Sequence, residues 1–334
     1  MSNNKCDRNA YLFLSAHLRA REGKMLNRDK AERMLDAASF EEAAKMLVEC
    51  GYEDMSSMSA KEVEKALSDH RAAVFADLAH MSPNKELIDV FRIKYDYHNA
   101  KTIMKSEAVE LERGDLLSTS GRIDPEDLVE DFNEDNFRGL SETFAKAIAE
   151  ARTVLNRTGN PQYADFILDS AYFVEVKKLA EELGSEFLKG YAEILVDSAN
   201  LRTAVRTLRM NKNGDFLRTA LVPGGSVDAE RIVSAAGSGE SLAQLFAVTK
   251  LKDAAFAGAE AVDGGRMTAF ELACDNAVNA YLKQAKLVSF GEAPVIAFIA
   301  AVENEITAAR MILTGRLAGI APDTIRERLR DFYA

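Results

Sequence analysis

Apolar positions recur every three or four residues through much of the chain, and the pattern is clearest near its C-terminal end. From Val295 to Leu313 the apolar residues step by 4, 3, 4, 3 and 4, and they are Val295, Ile299, Val302, Ile306, Ala309 and Leu313. This spacing places them on one face of a helix. Gly315, Gly319 and Pro322 follow, and such residues are typical of a helix end.

A second apolar stripe predicts a helix from Tyr191 to about Met210, with Ile194, Leu201, Val205 and Leu208 on its buried face. Good helix formers (Ala, Leu, Glu, Lys and Arg) fill long stretches elsewhere, and the chain has six prolines. Alternating strand patterns bounded by turn signals are hard to find. The sequence therefore predicts an all-α fold.

One short pattern occurs three times, at separations of 101 and 108 residues. It consists of an acid, two residues, Asn or Ala, an apolar residue and a base. Its defining positions are Asp96, Asn99 and Lys101, then Asp197, Asn200 and Arg202, then Glu305, Ala308 and Arg310. Apolar positions around the three copies stay in register, so the pattern indicates an internal repeat.

Other features recur at similar spacing. An acid lies 27 to 30 residues before each copy (Asp69, Asp169 and Asp275), and prolines recur at 125, 223 and 322. Together they predict three related helical bundles, at residues 1–120 with an N-terminal helix, 121–220, and 221–334 with a C-terminal helix. The period exceeds the ~20–50 residues of common solenoid repeats, which favours pseudo-threefold packing over an open array.

The repeated motif is interpreted as structural. Its acid and Asn are i,i+3 neighbours and are expected to hydrogen-bond along one helix face. The base at i+5 points elsewhere and is expected to contact another helix. An acid that occurs once in each repeat is better explained by the repeat than by general acid–base catalysis.

The net charge, the cysteines and the length of the apolar runs exclude several classes of partner and indicate the cellular compartment. The 334-residue chain has 42 Lys+Arg and 53 Asp+Glu, a net charge of −11, which argues against nucleic-acid and anionic-lipid partners. Three scattered cysteines, Cys6, Cys50 and Cys274, are typical of a reducing compartment. The longest apolar run, Ala293–Val302, has ten residues, whereas a membrane-spanning helix needs about 20. With no readable signal peptide, we expect a cytoplasmic protein without a membrane span.

Motifs of catalysis and cofactor binding are absent from the sequence. There is no Walker A, HExxH or GxSxG pattern, and Gly237-Ser-Gly239 is expected to open a helix capped by Ser238 or Ser241. Histidines at 70, 80 and 98, with Asp69 and Asp96, leave a metal-dependent all-α enzyme as one alternative. None of the histidine pairs has i,i+4 ligand spacing, which favours ordinary helix histidines. No cofactor is predicted.

The C-terminal stretch from Pro294 to Leu329 resembles the end of the C subunit of V/A-type rotary ATPases, which is called the d subunit in eukaryotic vacuolar enzymes. The family pattern is Glu-x-Glu-Ile-x-Asn-x-Arg-x-Ile-Leu-x-Gly. The matching residues here are Glu303, Glu305, Ile306, Arg310, Ile312, Leu313 and Gly315, whereas Ala308 replaces the Asn. The Asp197–Arg202 motif and the N-terminal Tyr11…Ala16…Arg19 helix are also similar to that family.

The resemblance implies a funnel of three similar bundles, which receives the tip of the central stalk at its wide mouth. Its narrow, apolar-lined end would sit on the cytoplasmic face of the membrane rotor ring of proteolipid subunits. Such a protein is non-catalytic, is peripheral to the membrane through the complex, and transmits torque for ATP-coupled H⁺ or Na⁺ transport. An unrelated α-helical scaffold or adaptor that uses its concave surface on another partner remains the other alternative.

Overall fold

The computed structural model describes residues 7–109 and 116–334. Helical content is 75%, and no strand occurs within these two ranges, which confirms the all-α prediction. The described residues form two compact units. The first unit consists of two chain segments, the described residues up to Ile88 and the segment Arg266–Ala334, and the second unit is Asp89–Gly265. These units are defined by packing, whereas the three bundles are defined by sequence repetition, so the division into three remains a prediction.

The first unit contains seven helices in its described residues. They are α1 (Leu12–Glu22), α2 (Arg28–Asp36), α3 (Phe40–Met46), α4 (Ala60–Met81), α14 (Met267–Lys283), α15 (Glu292–Leu317) and α16 (Pro322–Arg326). Short 3₁₀ helices occupy Arg8–Tyr11, Leu47–Cys50 and Gln284–Leu287. Helix α5 (Glu86–Val109) contains the boundary between the units.

The second unit continues with eight helices among its described residues. They are α6 (Pro125–Glu134), α7 (Glu142–Thr158), α8 (Pro161–Leu183), α9 (Glu186–Arg209), α10 (Gly214–Ala220), α11 (Ala229–Ala235), α12 (Gly239–Phe246) and α13 (Lys252–Val262). Helix α9 packs against α8, α10, α11, α12 and α13 and is the central element of this unit.

Helix α15 forms the core of the first unit, where it packs against α1, α2, α3, α4, α14 and α16. All six residues of the predicted stripe are buried, and so is every residue from Ala293 to Val302. A helix that is apolar all round is covered by neighbouring helices in a globular protein, and this accounts for the ten-residue apolar run. Of the predicted stripe in α9, Ile194, Leu201 and Val205 are buried and Leu208 is half-buried.

The predicted end of α15 is confirmed. The helix ends at Leu317, Gly319 adopts a left-handed φ of +69°, and Pro322 opens α16. A β-carbon at Gly315 would lie 2.7 Å from Ile325 Cδ1, so glycine at this position lets α16 pack closely on α15.

Candidate functional site

The three acids of the repeated motif, Asp96 in α5, Asp197 in α9 and Glu305 in α15, are 0%, 4% and 5% exposed. We call them the motif acids. Each binds backbone or side-chain donors in a short segment that directly precedes the N-cap of another helix, which we call an entry segment. The entry segments are residues 121–123 before α6, 225–227 before α11, and 24–26 before α2.

In the first repeat, Asp96 Oδ1 accepts hydrogen bonds from the backbone N–H groups of Arg122 (2.8 Å) and Ile123 (3.2 Å). The next residue, Asp124, is the N-cap of α6, and its side chain accepts from Glu126 N. The buried carboxylate therefore fixes the backbone at the point where α6 begins.

The second repeat has the same arrangement. Asp197 Oδ1 accepts from Val227 N at 3.2 Å, and its Oδ2 accepts from the Ser226 hydroxyl. Asp228 follows as the N-cap of α11. Val227 thus corresponds to Ile123, and Ser226 corresponds to Arg122.

The third motif acid binds the entry segment of α2, which lies near the start of the chain. Glu305 Oε2 accepts from Leu26 N at 2.6 Å, although the two residues are 279 positions apart. Asn27 is the N-cap of α2. Glu305 Oε1 also accepts from the Tyr52 hydroxyl at 2.8 Å. In each case the carboxylate of a long helix holds the residue before an N-cap.

The two motif asparagines, Asn99 and Asn200, also hydrogen-bond to the backbone of a following segment. Asn99 Nδ2 donates to Ser118 O (2.9 Å) and its Oδ1 accepts from Ser118 N (2.8 Å). Asn200 makes the same two bonds, both 2.8 Å, to Val222. The acid and Asn were expected to bond each other along the helix, and this expectation is wrong, because both side chains bind the following chain segment instead.

Ala308 lacks the side-chain amide of Asn99 and Asn200. The residue that this amide would bind in the third repeat is found by counting back from the amide that binds the motif acid. Ser118 and Val222 each lie five residues before the amide that binds the motif acid. The corresponding residue before Leu26 is Arg21, which lies inside α1. The Arg21 N–H lies in the hydrogen-bond pattern of α1, and its carbonyl accepts from Lys24 N at 2.9 Å, so no side-chain amide has to satisfy them.

Glycine is required at the start of two entry segments. A β-carbon at Gly121 would overlap Asp96 Oδ1, and one at Gly225 would overlap Asp197 Oδ1. The third entry segment has Lys24 at this position, and its acid is a glutamate. The additional methylene of Glu305 allows the carboxylate to reach the backbone from farther away, so the approach need not be as close.

Two of the three motif bases contact neighbouring helices. Lys101 pairs with Asp169 on α8, and Arg310 Nε lies 2.7 Å from Glu64 Oε2 on α4. Arg202 is half-buried and is not free of partners. Of the other two upstream acids singled out in the sequence, Asp69 pairs with Lys65, and Asp275 lies 2.8 Å from Arg330.

A buried network around Asp96 was not predicted from the sequence. Arg122 Nε lies 2.7 Å from Asp96 Oδ2, and Arg122 Nη1 lies 3.0 Å from Glu175 Oε1 on α8. The Tyr97 hydroxyl donates to Glu175 Oε2 at 2.9 Å. Burial and the Glu175 carboxylate raise the pKa of Tyr97. Arg122 and Glu175 are distant from Asp96 in the sequence, so no local pattern indicates the network.

Burial shifts the titration of the motif acids. It raises the pKa of Asp96 and of Asp197, although hydrogen bonds to both carboxylates act in the opposite direction. Burial also raises the pKa of Glu305 to about 7, against the lowering effects of Tyr52 and Leu26. The groups that bind Glu305 are neutral donors, and a desolvated carboxylate without a contacting cation is costly to ionise.

Four of the five residues considered for a metal site make other contacts, and the fifth, His80, is exposed near the end of α4. The His70 ring stacks on Tyr52 with centroids 4.0 Å apart, and burial lowers the pKa of His70. His98 Nε2 lies 3.1 Å from Leu116 O, while Asp96 holds its entry segment and Asp69 holds Lys65. Within residues 7–109 and 116–334, no group of three or more His, Cys, Asp or Glu side chains is placed to hold a metal ion.

Three further points from the sequence concern a helix cap, the cysteines and membrane-spanning segments. Ser238 is the N-cap of α12 and accepts from Ser241 N at 3.1 Å, as one of the two predicted caps. Cys50 and Cys274 are not joined in a disulfide within the described residues, and Cys6 lies outside them. In the part of the chain that the structure describes, no helix combines the length and the apolar character that a membrane span requires.

Comparison with known protein families identifies the family of this chain. The model of the ATP synthase (C/AC39) subunit family matches residues 14–328. The chain belongs to this family. The C/AC39 protein is a structural, non-catalytic subunit of V/A-type ATPases, and the resemblance drawn from the C-terminal motif is confirmed. The family match also rules against an unrelated scaffold and against a metal-dependent enzyme.

Two curated relatives align with nearly the whole chain. It is 23% identical to the C subunit of the V-type sodium ATPase of Enterococcus hirae over 97% of this chain and 99% of that protein. It is 26% identical to the C subunit of the A-type ATP synthase of Methanocaldococcus jannaschii, over 96% of this chain and 86% of the relative. A third relative, the C subunit of the V-type ATP synthase of Thermus thermophilus, is 24% identical over 59% of this chain and 62% of its own length.

Proposed function

We propose that this protein is the rotor subunit that links the central stalk of a V/A-type ATPase to its membrane ring. In this role it transmits torque between ATP chemistry and the transport of H⁺ or Na⁺. Its partners are the central-stalk subunits on one side and the proteolipid ring on the other. It is cytoplasmic and is held at the membrane through the complex.

The observation that carries the proposal is the family match over residues 14–328. Relatives that this chain matches over nearly its full length are named as C subunits, one of a V-type sodium ATPase and one of an A-type ATP synthase. The proposal transfers their place in such a complex to this chain.

The internal ties support a mechanical role. The motif acids Asp96, Asp197 and Glu305 are buried, and each fixes the start of a helix from another part of the chain. A closely packed body with paired buried groups transmits strain because its interior has discrete packing arrangements and little free space. A protein that passes torque needs this resistance to deformation, and it needs no catalytic residues of its own.

The experiment is reconstitution of the ATPase with and without this chain. The purified chain is first mixed with the central-stalk subunits, and a stoichiometric complex is expected by size-exclusion chromatography with light scattering. The full enzyme is then assembled in vesicles, where ATP hydrolysis and ion transport are measured side by side.

We expect ATP hydrolysis by the catalytic head to persist without this chain, while ion transport requires it. Adding the chain back should restore transport in proportion to its occupancy. Failure to bind the stalk subunits across a range of salt concentrations, or ion transport that is unchanged without the chain, would contradict the proposal.

A further inference from the structure

The first two motif acids differ in their counter-charge. Asp96 has the guanidinium of Arg122, whose Nε lies 2.7 Å from Oδ2. At the equivalent position of the second repeat the residue is Ser226. Asp197 accepts only from neutral donors, the Ser226 hydroxyl and the Val227 amide. Among the described residues, no Lys, Arg or His nitrogen lies within 4.0 Å of the Asp197 carboxylate.

A cavity of about 360 Å³ lies beside Asp197, and Ser226 contributes to its lining. Glu193, one turn earlier on α9, also lines the cavity and helps to raise the pKa of Asp197 beyond the effect of burial. Ile194, Leu245 and Leu251 supply apolar surface. The lining therefore combines two carboxylates with apolar surface, and it includes Ser226, whose counterpart in the first repeat is Arg122.

Two basic residues, Arg231 and Lys250, also line the cavity. Arg231, on α11, is exposed, and its guanidinium makes no ion pair within the described ranges. Lys250 is exposed and has a partner of its own. Val248, which also lines the cavity, is 94% exposed, which is unusual for an aliphatic side chain and adds apolar surface for a contacting protein.

We propose that this cavity is a binding site for an arginine side chain of a partner protein. The guanidinium would bind Asp197 and face Glu193, and its methylene groups would lie along the apolar sides. That the partner is another subunit of the ATPase rests on the proposed function. Arginine suits the site better than an inorganic cation, because its methylene groups can pack on the apolar lining residues and its planar head makes several hydrogen bonds to carboxylates.

The energetics favour such an occupant. A buried carboxylate with neutral donors alone is costly to keep ionised, and a contacting cation removes much of that cost. Binding of the cation and ionisation of Asp197 are therefore coupled. Affinity for the guanidinium should fall as the pH is lowered and Asp197 becomes protonated.

The test uses the full chain and N-acetyl-arginine amide as the probe, with N-acetyl-citrulline amide as its uncharged control. Backbone amide signals of Ser226 and Val227 are followed by TROSY NMR during titration. We expect a saturable shift with the arginine compound and an affinity at least about tenfold weaker for the citrulline compound. Asp197→Asn should weaken arginine binding by a similar factor, whereas Glu240→Gln, which changes an exposed acid on α12, should not.

Ser226→Arg provides a second variant if Asp197→Asn folds poorly. It supplies the guanidinium from within the chain, as Arg122 does in the first repeat, so it should raise the thermal midpoint and abolish probe binding. Arg231→Ala should leave probe affinity unchanged.

Equal binding of the two probes, or no saturable shift in the unmodified chain, would overturn the proposal. Binding seen only in Arg231→Ala would overturn it as well, because the chain's own arginine would then fill the site. These outcomes involve no other component of the ATPase, so they are distinct from a failure of the stalk and transport experiments.

Discussion

Glu305 provides the sharpest test of how the motif acids stabilise the fold. The residue is 5% exposed, its carboxylate binds Leu26 N and the Tyr52 hydroxyl, and burial raises its pKa from an ordinary 4.5 to about 7. The perturbation is Glu305→Gln. A glutamine is nearly the same size, its Oε1 can accept from Leu26 N, and its Nε2 can donate to the Tyr52 oxygen, so the buried contacts are retained without a titrating group.

The magnitude follows from proton linkage. The folded chain binds the Glu305 proton more tightly than the unfolded chain, so this residue's contribution to stability is fully present below about pH 4.5 and is lost as the pH rises through 7. The rise in pKa corresponds to about 3 kcal/mol, at about 1.36 kcal/mol for each tenfold change in proton affinity. About 2.5 kcal/mol of this loss falls between pH 5 and pH 8.

The assay is urea unfolding followed by circular dichroism at several pH values from about 5 to 8. The free energy of unfolding of the wild type, relative to Glu305→Gln, should decrease by about 2.5 kcal/mol over this range. Glu53→Gln, which removes an exposed acid in the same compact unit, is the control and should leave the pH dependence of the wild type unchanged. His70, whose pKa is lowered by burial, is common to all three proteins and cancels in the comparison.

A local measurement complements the global one. Hydrogen exchange at the Leu26 amide reports the tie between α15 and the entry segment of α2 directly. Protection at Leu26 in the wild type should fall as the pH rises past about 7 by more than in Glu305→Gln, after correction for intrinsic exchange. The same pH dependence of stability in both proteins would contradict a destabilising ionisation of Glu305. So would a decrease of several kcal/mol in the variant's free energy of unfolding, relative to the wild type, at the alkaline end of the range.

Three further predictions concern the glycine beside Asp197, the asparagine that binds Val222, and the ion pair of Lys101. Gly225→Ala should lower the free energy of unfolding by about 1–3 kcal/mol because the new methyl group overlaps the Asp197 carboxylate, whereas Gly139→Ala, with no atom within 4 Å, should have little effect in the same denaturation assay. Asn200→Ala should cost at least about 2 kcal/mol, because it leaves the buried N–H and C=O of Val222 unpaired, and crystallography of the variant should show whether a water replaces the amide. Lys101→Ala should cost less than about 1 kcal/mol by thermal unfolding, since its ion pair is partly exposed, and a larger loss would show that the pair is more strongly coupled than its exposure indicates.

The sequence by itself determined the local structure. The stripe from Val295 to Leu313 specifies a helix and its buried face because apolar side chains three and four residues apart lie on the same side of an α-helix. The glycines and proline after it specify where it stops. The repeated acid, Asn and base were visible because each copy repeats the same local spacing, and the family resemblance followed from such short-range patterns.

Only the tertiary structure decided what the motif side chains bind. Asp96 and Asn99 bind separate points of the following chain rather than each other, and Glu305 binds an amide 279 residues away. Arg122 and Glu175 join the Asp96 network from separate segments. Periodicity encodes which face of a helix is buried, but the partner on that face depends on how distant segments pack, and this long-range choice has no signature in the local sequence.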